Sequence, residues 1–157
     1  MILGLIPSRL ESTRLIKKPL LEIDGLPLII HTLKRAQLCK SLDKVIVCTD
    51  SKKIVDVVKY YGGEAILTKK THRNGTERIS EVAKKFSCEL VIDIQGDEPL
   101  IDPKNIDEIV IFHRKNKKFD LIITSSDLKD PYSKNVVKLV ADKKNRILYM
   151  SRAAIPL

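Results

Sequence analysis

Short runs of Val, Ile and Leu alternate along this chain with longer segments in which apolar residues recur every three or four positions. The short runs are typical of parallel strands buried on both faces, and the longer segments are typical of amphipathic helices that cover such a sheet. The pattern predicts an α/β fold, with a mostly parallel sheet flanked by helices. The predicted strands are residues 2–6, 44–49, 64–67, 89–94 and 121–125, and the predicted helices are residues 28–39, 53–61, 76–86 and 103–115.

The two ends of the chain carry further patterns. Residues 1–6 are apolar but have neither the basic lead-in nor the length of a secretion signal, so we interpret them as a buried strand. Residues 135–142 and 146–150 flank a polar Lys-Lys-Asn turn, which predicts a β-hairpin.

No apolar run approaches the ~20 residues that a membrane-spanning helix requires. Because no linker or repeat interrupts the pattern, residues 1–157 are expected to form a single domain.

The charge balance narrows the possible partners. Lys and Arg total 29 against 20 Asp and Glu, and the net charge of +9 suits nucleic acid, an anionic membrane surface or a polyanionic small substrate such as a nucleoside triphosphate. The basic residues are scattered, so this charge is also typical of a solvated, lysine-rich surface. With no Trp, four Tyr and three Phe, the chain has few rings on which bases would stack, which disfavours nucleic acid.

The cysteines favour a reducing compartment. Cys39, Cys48 and Cys88 are odd in number and lack the paired spacing of a zinc site, so reduced thiols in a cytoplasmic protein are expected. No Ser-His-Asp or Cys-His arrangement is suggested by the order of the residues, and a covalent enzyme intermediate is therefore not expected.

The loops that follow the predicted strands hold the unusual polar residues. In open α/β sheets ligands bind outside the carboxyl ends of the strands, so residues 7–18, 49–51, 68–75 and 95–101 are expected to line one crevice. In the first of these loops Arg9 and Arg14 offer planar guanidinium groups and Lys18 a mobile point charge, a combination suited to phosphate. It has no Gly-Lys-Ser/Thr and is not a Walker loop. The alternative is a charged surface loop.

Two other loops carry candidate ligands. Asp97 follows Gly96 at a strand end, and a carboxylate held there is a hard-oxygen ligand for a Mg²⁺ ion that bridges phosphates. The alternative is a turn that leads into a capped helix. In residues 71–78, Asn74-Gly75 precedes a predicted helix whose exposed amides suit a base or a phosphate, and simple helix capping is the alternative.

Taken in order, these segments resemble the CMP-Kdo synthetases, which activate 3-deoxy-manno-octulosonate (Kdo) by joining it to CMP. The resemblance spans the chain and rests on Ile6-Pro7-Ser8-Arg9, Ser12-Thr13-Arg14-Leu15, Lys18-Pro19-Leu20, Thr49-Asp50, His72-Arg73-Asn74-Gly75-Thr76-Glu77-Arg78, Gln95-Gly96-Asp97-Glu98-Pro99, Val136-Val137-Lys138 and Ser151-Arg152-Ala153-Ala154-Ile155-Pro156. The chain departs from the family at Glu11, where a small residue is common, and at Ile16-Lys17, where Pro-Gly is usual.

The resemblance implies a Rossmann-like sugar-nucleotide transferase fold and a set of site residues. Arg9 and Lys18 would bind and polarise the CTP phosphates, and Asp97 would bind Mg²⁺ as the cofactor. The remaining residues implied to contact the substrates are Pro7, Ser8, Arg14, His72, Asn74, Gly75, Gln95, Gly96 and Arg152. Family members continue beyond the 151–156 segment into a region that supplies most of the sugar pocket, a further metal-binding aspartate and much of a dimer contact, so this chain is expected to lack that part.

The implied reaction is attack of the anomeric hydroxyl of Kdo on the α-phosphate of CTP, with release of pyrophosphate, for lipopolysaccharide synthesis in the cytoplasm. CTP and the acidic sugar are the expected partners, and binding to nucleic acid or to a membrane is not expected. The resemblance is compatible with a homodimer. Two alternatives stay open: another acidic sugar as acceptor, and a non-catalytic module that binds CTP without completing the reaction.

Overall fold

The structure, a computed structural model, describes residues 1–11, 15–128 and 130–155. Contacts within the chain divide it into two compact units, Met1–Lys117 and Lys118–Leu157. The strands of the first unit are β1 (Ile2–Ser8), β2 (Glu22–Ile23), β3 (Leu26–Pro27), β4 (Lys44–Thr49), β5 (Glu64–Leu67) and β6 (Leu90–Asp93). Its helices are α1 (Leu28–Ala36), α2 (Lys52–Tyr60), α3 (Gly75–Ala83) and α4 (Pro103–Lys115), with a 3₁₀ turn at Lys18–Leu20.

The core of the first unit is a four-stranded parallel sheet in the order β5-β4-β1-β6. Side chains of β1 alternate between the two faces, because successive residues of a strand point in opposite directions. Ile2 and Ile6 pack with α1, α2 and α4, whereas Leu3 and Leu5 pack with α3. After β1 the chain adds β4 on one side of it, and later β6 on the other. The strand order therefore reverses at β1, where open α/β sheets leave a crevice for ligands.

The predicted α/β fold is confirmed. The predicted bounds of β4, β5 and α4 are those observed, and the other core elements differ by up to three residues at an end, where helices fray and strands lose their partners. None of the described helices is both long enough and apolar enough to cross a membrane.

A small hairpin made by β2 and β3 was not predicted. Its two-residue turn is Asp24-Gly25, and both residues have positive φ, at 47° and 77°. That geometry is typical of a type I′ turn, which Asp-Gly favours because glycine adopts positive φ without strain. The Asp24-Gly25 dipeptide is the local signal for this hairpin, which hydrophobic runs alone do not reveal.

The second unit contains the predicted β-hairpin, formed by β7 (Lys138–Ala141) and β8 (Ile147–Ser151). The Asp142 carboxylate holds the turn, since it accepts hydrogen bonds from the backbone N–H groups of Lys144 and Arg146 and from Arg146 Nε. The prediction of a strand at residues 121–125 is wrong: they form no strand, and Leu121 is 68% exposed. Strand propensity alone does not form a strand without a neighbouring strand to share its hydrogen bonds, and no described strand pairs with this run.

Candidate functional site

Three of the sequence motifs meet at Pro7, near the carboxyl end of β1. A Cβ added to Gly75 would lie 3.0 Å from Pro7 Cγ, and one added to Gly96 would lie 2.9 Å from the Pro7 carbonyl oxygen. The loop after β6 is also tied to α1, because the buried Thr32 hydroxyl donates to the Gly96 carbonyl at 3.3 Å. At Gly96 the added Cβ would meet backbone, so glycine is needed there, whereas at Gly75 the Pro7 ring would have to shift by a few tenths of an ångström. The start of α3 and the loop after β6 therefore lie against the loop after β1.

Ser8, the last residue of β1, carries an unsatisfied polar group. It is 7% exposed, and its hydroxyl oxygen has no hydrogen-bond partner among the described residues. A buried hydroxyl without a partner is destabilising by an amount comparable to a lost hydrogen bond. Its position at the end of the central strand suits a group that a bound ligand would satisfy.

A cavity of about 320 Å³ opens beside this loop. Its lining residues are Arg9, Leu10, Glu11, Asp50, Ser51, Lys52, Lys53, Lys70, His72 and Arg78. They come from the ends of β1, β4 and β5 and from the beginnings of α2 and α3. Among these residues Arg78 and Asp50 form an ion pair. The remaining charges are one carboxylate, Glu11, and four cations: Arg9, Lys52, Lys53 and Lys70. This excess of positive charge in a concave site favours a polyanion.

The three cavity lysines were not singled out from the sequence. Lys52 and Lys53 follow the expected loop at residues 49–51 directly, so continuing that loop into the first turn of the next helix would have found them. Lys70 lies within the expected loop at residues 68–75 but precedes the motif at residues 71–78, so no motif points to it.

A buried arginine fixes one wall of the cavity. Arg78 on α3 is 4% exposed; its Nη2 donates to Asp50 Oδ2 at 2.7 Å, and its Nη1 donates to Thr68 Oγ1 at 2.5 Å. Asp50 follows β4 and Thr68 follows β5, so a single guanidinium joins the carboxyl ends of two strands. The planar guanidinium makes this link because its donors lie on separate nitrogens that face different acceptors.

The loop before α3 is held by its own side chains. His72 Nε2 lies 2.5 Å from Glu81 Oε2, which also accepts from the Lys69 backbone N–H. The hydrogen bond from His72, together with that backbone bond, holds the pKa of Glu81 below its usual value. Asn74 caps α3, because its Oδ1 accepts from the Glu77 N–H at 2.8 Å. His72 and Asn74 thus orient the loop.

The candidate phosphate lysine and the candidate metal aspartate contact each other. Lys18 Nζ lies 2.5 Å from Asp97 Oδ2, and the two side chains are 38% and 53% exposed. They are 79 residues apart in sequence, and the contact brings the loop after β1 to the loop after β6. In the same loop Gln95 Nε2 donates to Asp93 Oδ1 at 3.3 Å.

Asp97 supplies one carboxylate of the kind that would hold Mg²⁺ together with phosphate oxygens. In the described ranges no group of three or more His, Cys, Asp or Glu side chains is arranged to hold a metal by itself. Mg²⁺ in phosphate-transferring sites is usually bound through one or two carboxylates, with phosphate oxygens and water completing its shell. The Asp97 carboxylate already attracts a cation, the Lys18 ammonium, and is partly open to solvent.

Two of the predicted site residues are not in the described part of the first unit. Arg152 belongs to the second unit, where its Nη1 donates to the Asn135 carbonyl at 3.0 Å. Arg14 lies outside the described residues. Cys39 and Cys48 are not candidate nucleophiles, because burial raises the pKa of Cys39 to about 11 and that of Cys48 to about 12, so both thiols stay protonated at neutral pH.

The chain matches the cytidylyltransferase family over residues 3–157. The 3-deoxy-manno-octulosonate cytidylyltransferase of Nitratiruptor sp. is 40% identical, and the alignment covers 97% of this chain and 66% of the relative. The enzyme of that name from Fusobacterium nucleatum is 41% identical, with 98% and 64% covered. The chain thus spans slightly less than two-thirds of the length of these relatives.

Solved structures agree with the sequence comparison. The structure of CMP:2-keto-3-deoxy-manno-octonic acid synthetase complexed with CTP superposes with a TM-score of 0.87 and 33% identity, over 99% of this chain and 66% of that one. A cytidylyltransferase from Leptospira borgpetersenii superposes with a TM-score of 0.65 and 27% identity, over 74% and 50%. Both sequence and fold confirm the resemblance stated from the motifs, and the chain belongs to the cytidylyltransferase family.

Proposed function

We propose that the chain binds CTP and transfers its CMP group to Kdo, releasing pyrophosphate. The observation that carries the proposal is the meeting of three loops at Pro7, beside a cavity lined by Arg9 and three lysines. A related structure, 33% identical, was solved with CTP bound. In the proposed reaction the anomeric hydroxyl oxygen of the sugar bonds to the α-phosphorus and its proton is released to water, while the bond from that phosphorus to the leaving pyrophosphate breaks.

Charge neutralisation and positioning are the chemistry that these residues supply. Both substrates are anions, so their approach is opposed unless cations face the phosphates. Arg9 would bind the triphosphate through its guanidinium, and Lys18 would leave Asp97 to face the leaving phosphates. A Mg²⁺ ion bound at Asp97 would further neutralise charge on the phosphates. Holding both reactants in one site converts a bimolecular reaction into a unimolecular step.

The finer parts of the proposal concern the loop before α3, the buried serine and the fate of the product. The Ser8 hydroxyl and the amides around Gly75 and Gln95 would hold the cytidine, since they lie at the edge where the three loops meet. Arg152 would contact a substrate anion. The product would supply lipopolysaccharide synthesis in the cytoplasm, a compartment that suits the free thiols of the described cysteines.

A turnover assay distinguishes an enzyme from a module that only binds CTP. The protein is incubated with CTP, Mg²⁺ and either Kdo or another acidic sugar, while pyrophosphate release is followed enzymatically and the nucleotide products by ³¹P NMR. We expect pyrophosphate only when both substrates are present, together with one new CMP-sugar diester signal. CTP binding without any product would support the binding-module alternative instead, and product from another acidic sugar alone would reassign the acceptor.

Variants test the phosphate site directly. Arg9→Ala and Lys18→Ala are each expected to weaken CTP binding by about 1.5–3 kcal/mol, the range for hydrogen bonds to charged groups. Lys34→Ala is the matched control, because Lys34 lies exposed on α1 and its loss changes the net charge equally. Calorimetry gives the affinities. If Arg9→Ala or Lys18→Ala bound CTP as well as Lys34→Ala, that residue's proposed role would be abandoned.

A further inference from the structure

Lys138 is a buried lysine whose charge is satisfied by main-chain carbonyls. It is the first residue of β7 and is 2% exposed. Its Nζ donates to the carbonyl oxygens of Ser133 at 2.6 Å, Val136 at 3.1 Å and Arg152 at 2.5 Å. Within the part of the chain that the structure describes, no carboxylate pairs with it.

Such a position is costly unless every donor has a partner. Burying an ammonium group is strongly unfavourable, and a lysine has three N–H donors to satisfy. Here three acceptors meet three donors, so the cost is offset by charge-assisted hydrogen bonds. An apolar side chain of similar length would avoid burying a charge but would leave the three carbonyls without this donor. The charge therefore has a use that packing does not explain, namely joining segments that lie apart in the chain.

The segments that Lys138 joins are the turn at residues 133–136 and the residue after β8. In the hairpin Lys138 is paired with Ser151, so its side chain reaches the next carbonyl, that of Arg152. The Arg152 side chain also contacts this loop, because its Nη1 donates to the carbonyl oxygens of Asn135 at 3.0 Å and Lys134 at 3.5 Å. The backbone of Arg152 and its side chain are thus both anchored to one short loop.

The anchoring leaves one side of the guanidinium open. Nη1 is occupied by the loop carbonyls, whereas no described residue accepts a hydrogen bond from Nε or Nη2 of Arg152. These two nitrogens have parallel N–H groups that match the two oxygens of a carboxylate or a phosphate. A guanidinium fixed in this way loses less conformational entropy on binding an anion than a freely rotating one.

We infer that Lys138 is a positioning residue, which fixes Arg152 so that its Nε and Nη2 edge is ready for an anionic group of a substrate. The inference rests on the proposed function, in which Arg152 binds a substrate, and gives the Val136-Val137-Lys138 motif a role through Arg152. Lys138 itself touches no substrate in this account, because its three donors are already used.

The first test measures the order of Arg152 without any ligand. In ¹⁵N-labelled protein the heteronuclear NOE of Arg152 Nε–H is compared between wild type, Lys138→Met and the control Lys143→Met, whose lysine is exposed in the hairpin turn. We expect a clear fall in Lys138→Met alone, while cross-strand NOEs between β7 and β8 persist. If those cross-strand NOEs are lost, Lys138→Gln takes the place of the methionine variant, since its amide keeps two donors. An unchanged Arg152 signal in a folded variant would overturn the inference.

The second test is a double-mutant cycle on affinity, with CTP, Kdo and pyrophosphate as separate ligands to distinguish a phosphate from a carboxylate. We expect Lys138→Met to weaken binding of one of them by about fivefold, and to have no further effect in an Arg152→Ala background, because contacting residues that act together are not additive. Equal losses in both backgrounds would contradict positioning. If Arg152→Ala alone changes no affinity, the substrate role of Arg152 fails, and the NMR result still decides whether Lys138 orders it.

Discussion

Removing the Arg78 guanidinium is expected to destabilise the first unit strongly. Arg78 is 4% exposed and its partner Asp50 is 17% exposed, with 2.7 Å between Nη2 and Oδ2. In Arg78→Met the methylene stem is kept, but the Asp50 carboxylate and the Thr68 hydroxyl each lose a donor. Removing one partner of a buried ion pair costs about 3–5 kcal/mol, and access of water to Asp50 favours the lower end of that range. We therefore expect a loss of about 3 kcal/mol.

The corresponding change in melting temperature follows from the size of the unit. At about 2.1 cal/mol/K per residue, the unfolding entropy of Met1–Lys117 is about 0.25 kcal/mol/K, so 3 kcal/mol lowers Tm by about 12 °C. Differential scanning calorimetry at pH 7 measures it. Arg73→Met is the matched control, because Arg73 is exposed in the loop before α3, and we expect its effect to stay within about 0.5 kcal/mol. If Arg78→Met melted within about 2 °C of Arg73→Met, the claim that this pair holds the cavity wall would be refuted.

Three further perturbations test the site. Asp97→Asn should abolish the enhancement of CTP binding by Mg²⁺ in calorimetry, because a neutral amide is a poor ligand for a hard cation, with Tm nearly unchanged; an intact Mg²⁺ effect would contradict the role of Asp97. Gly96→Ala should lose about 1–3 kcal/mol in urea unfolding, since its Cβ would lie 2.9 Å from the Pro7 carbonyl oxygen, and full stability would disprove the close approach. Glu81 has a lowered pKa because of its hydrogen bond with His72, so the stability it adds is present at neutral pH and lost as the pH falls through that lowered pKa, below the usual 4.5. The stability difference between wild type and Glu81→Gln should therefore close as the pH falls through that range, and a constant difference would contradict the assignment.

Much of the fold could be predicted because its signals are local. The bounds of β4, β5 and α4 follow from uninterrupted apolar runs, from helical spacing and from a proline at the first turn of α4. The run at residues 121–125 shows the limit of that reasoning, since a strand depends on a neighbour that composition does not reveal.

The candidate site was predicted as a set of loops but not as a set of contacts. Arg78 and Asp50 are 28 residues apart, and Lys18 and Asp97 are 79 apart, so each pair depends on the order of strands in the sheet. The periodicity of apolar residues along the chain carries no information about the order of the strands. The same holds for the bond from Lys138 to the Arg152 carbonyl, 14 residues away, which depends on the hairpin register.

The most direct test of the central claim is the choice of base. Calorimetric titrations of the wild-type protein with CTP, ATP and GTP, each with Mg²⁺, compare triphosphates that differ only in the base, so any phosphate site contributes equally. If the loops that meet at Pro7 hold cytidine, CTP should bind at least about tenfold more tightly than either purine nucleotide, a difference of about 1.4 kcal/mol. Equal affinities for all three would contradict the claim and leave only a general phosphate site.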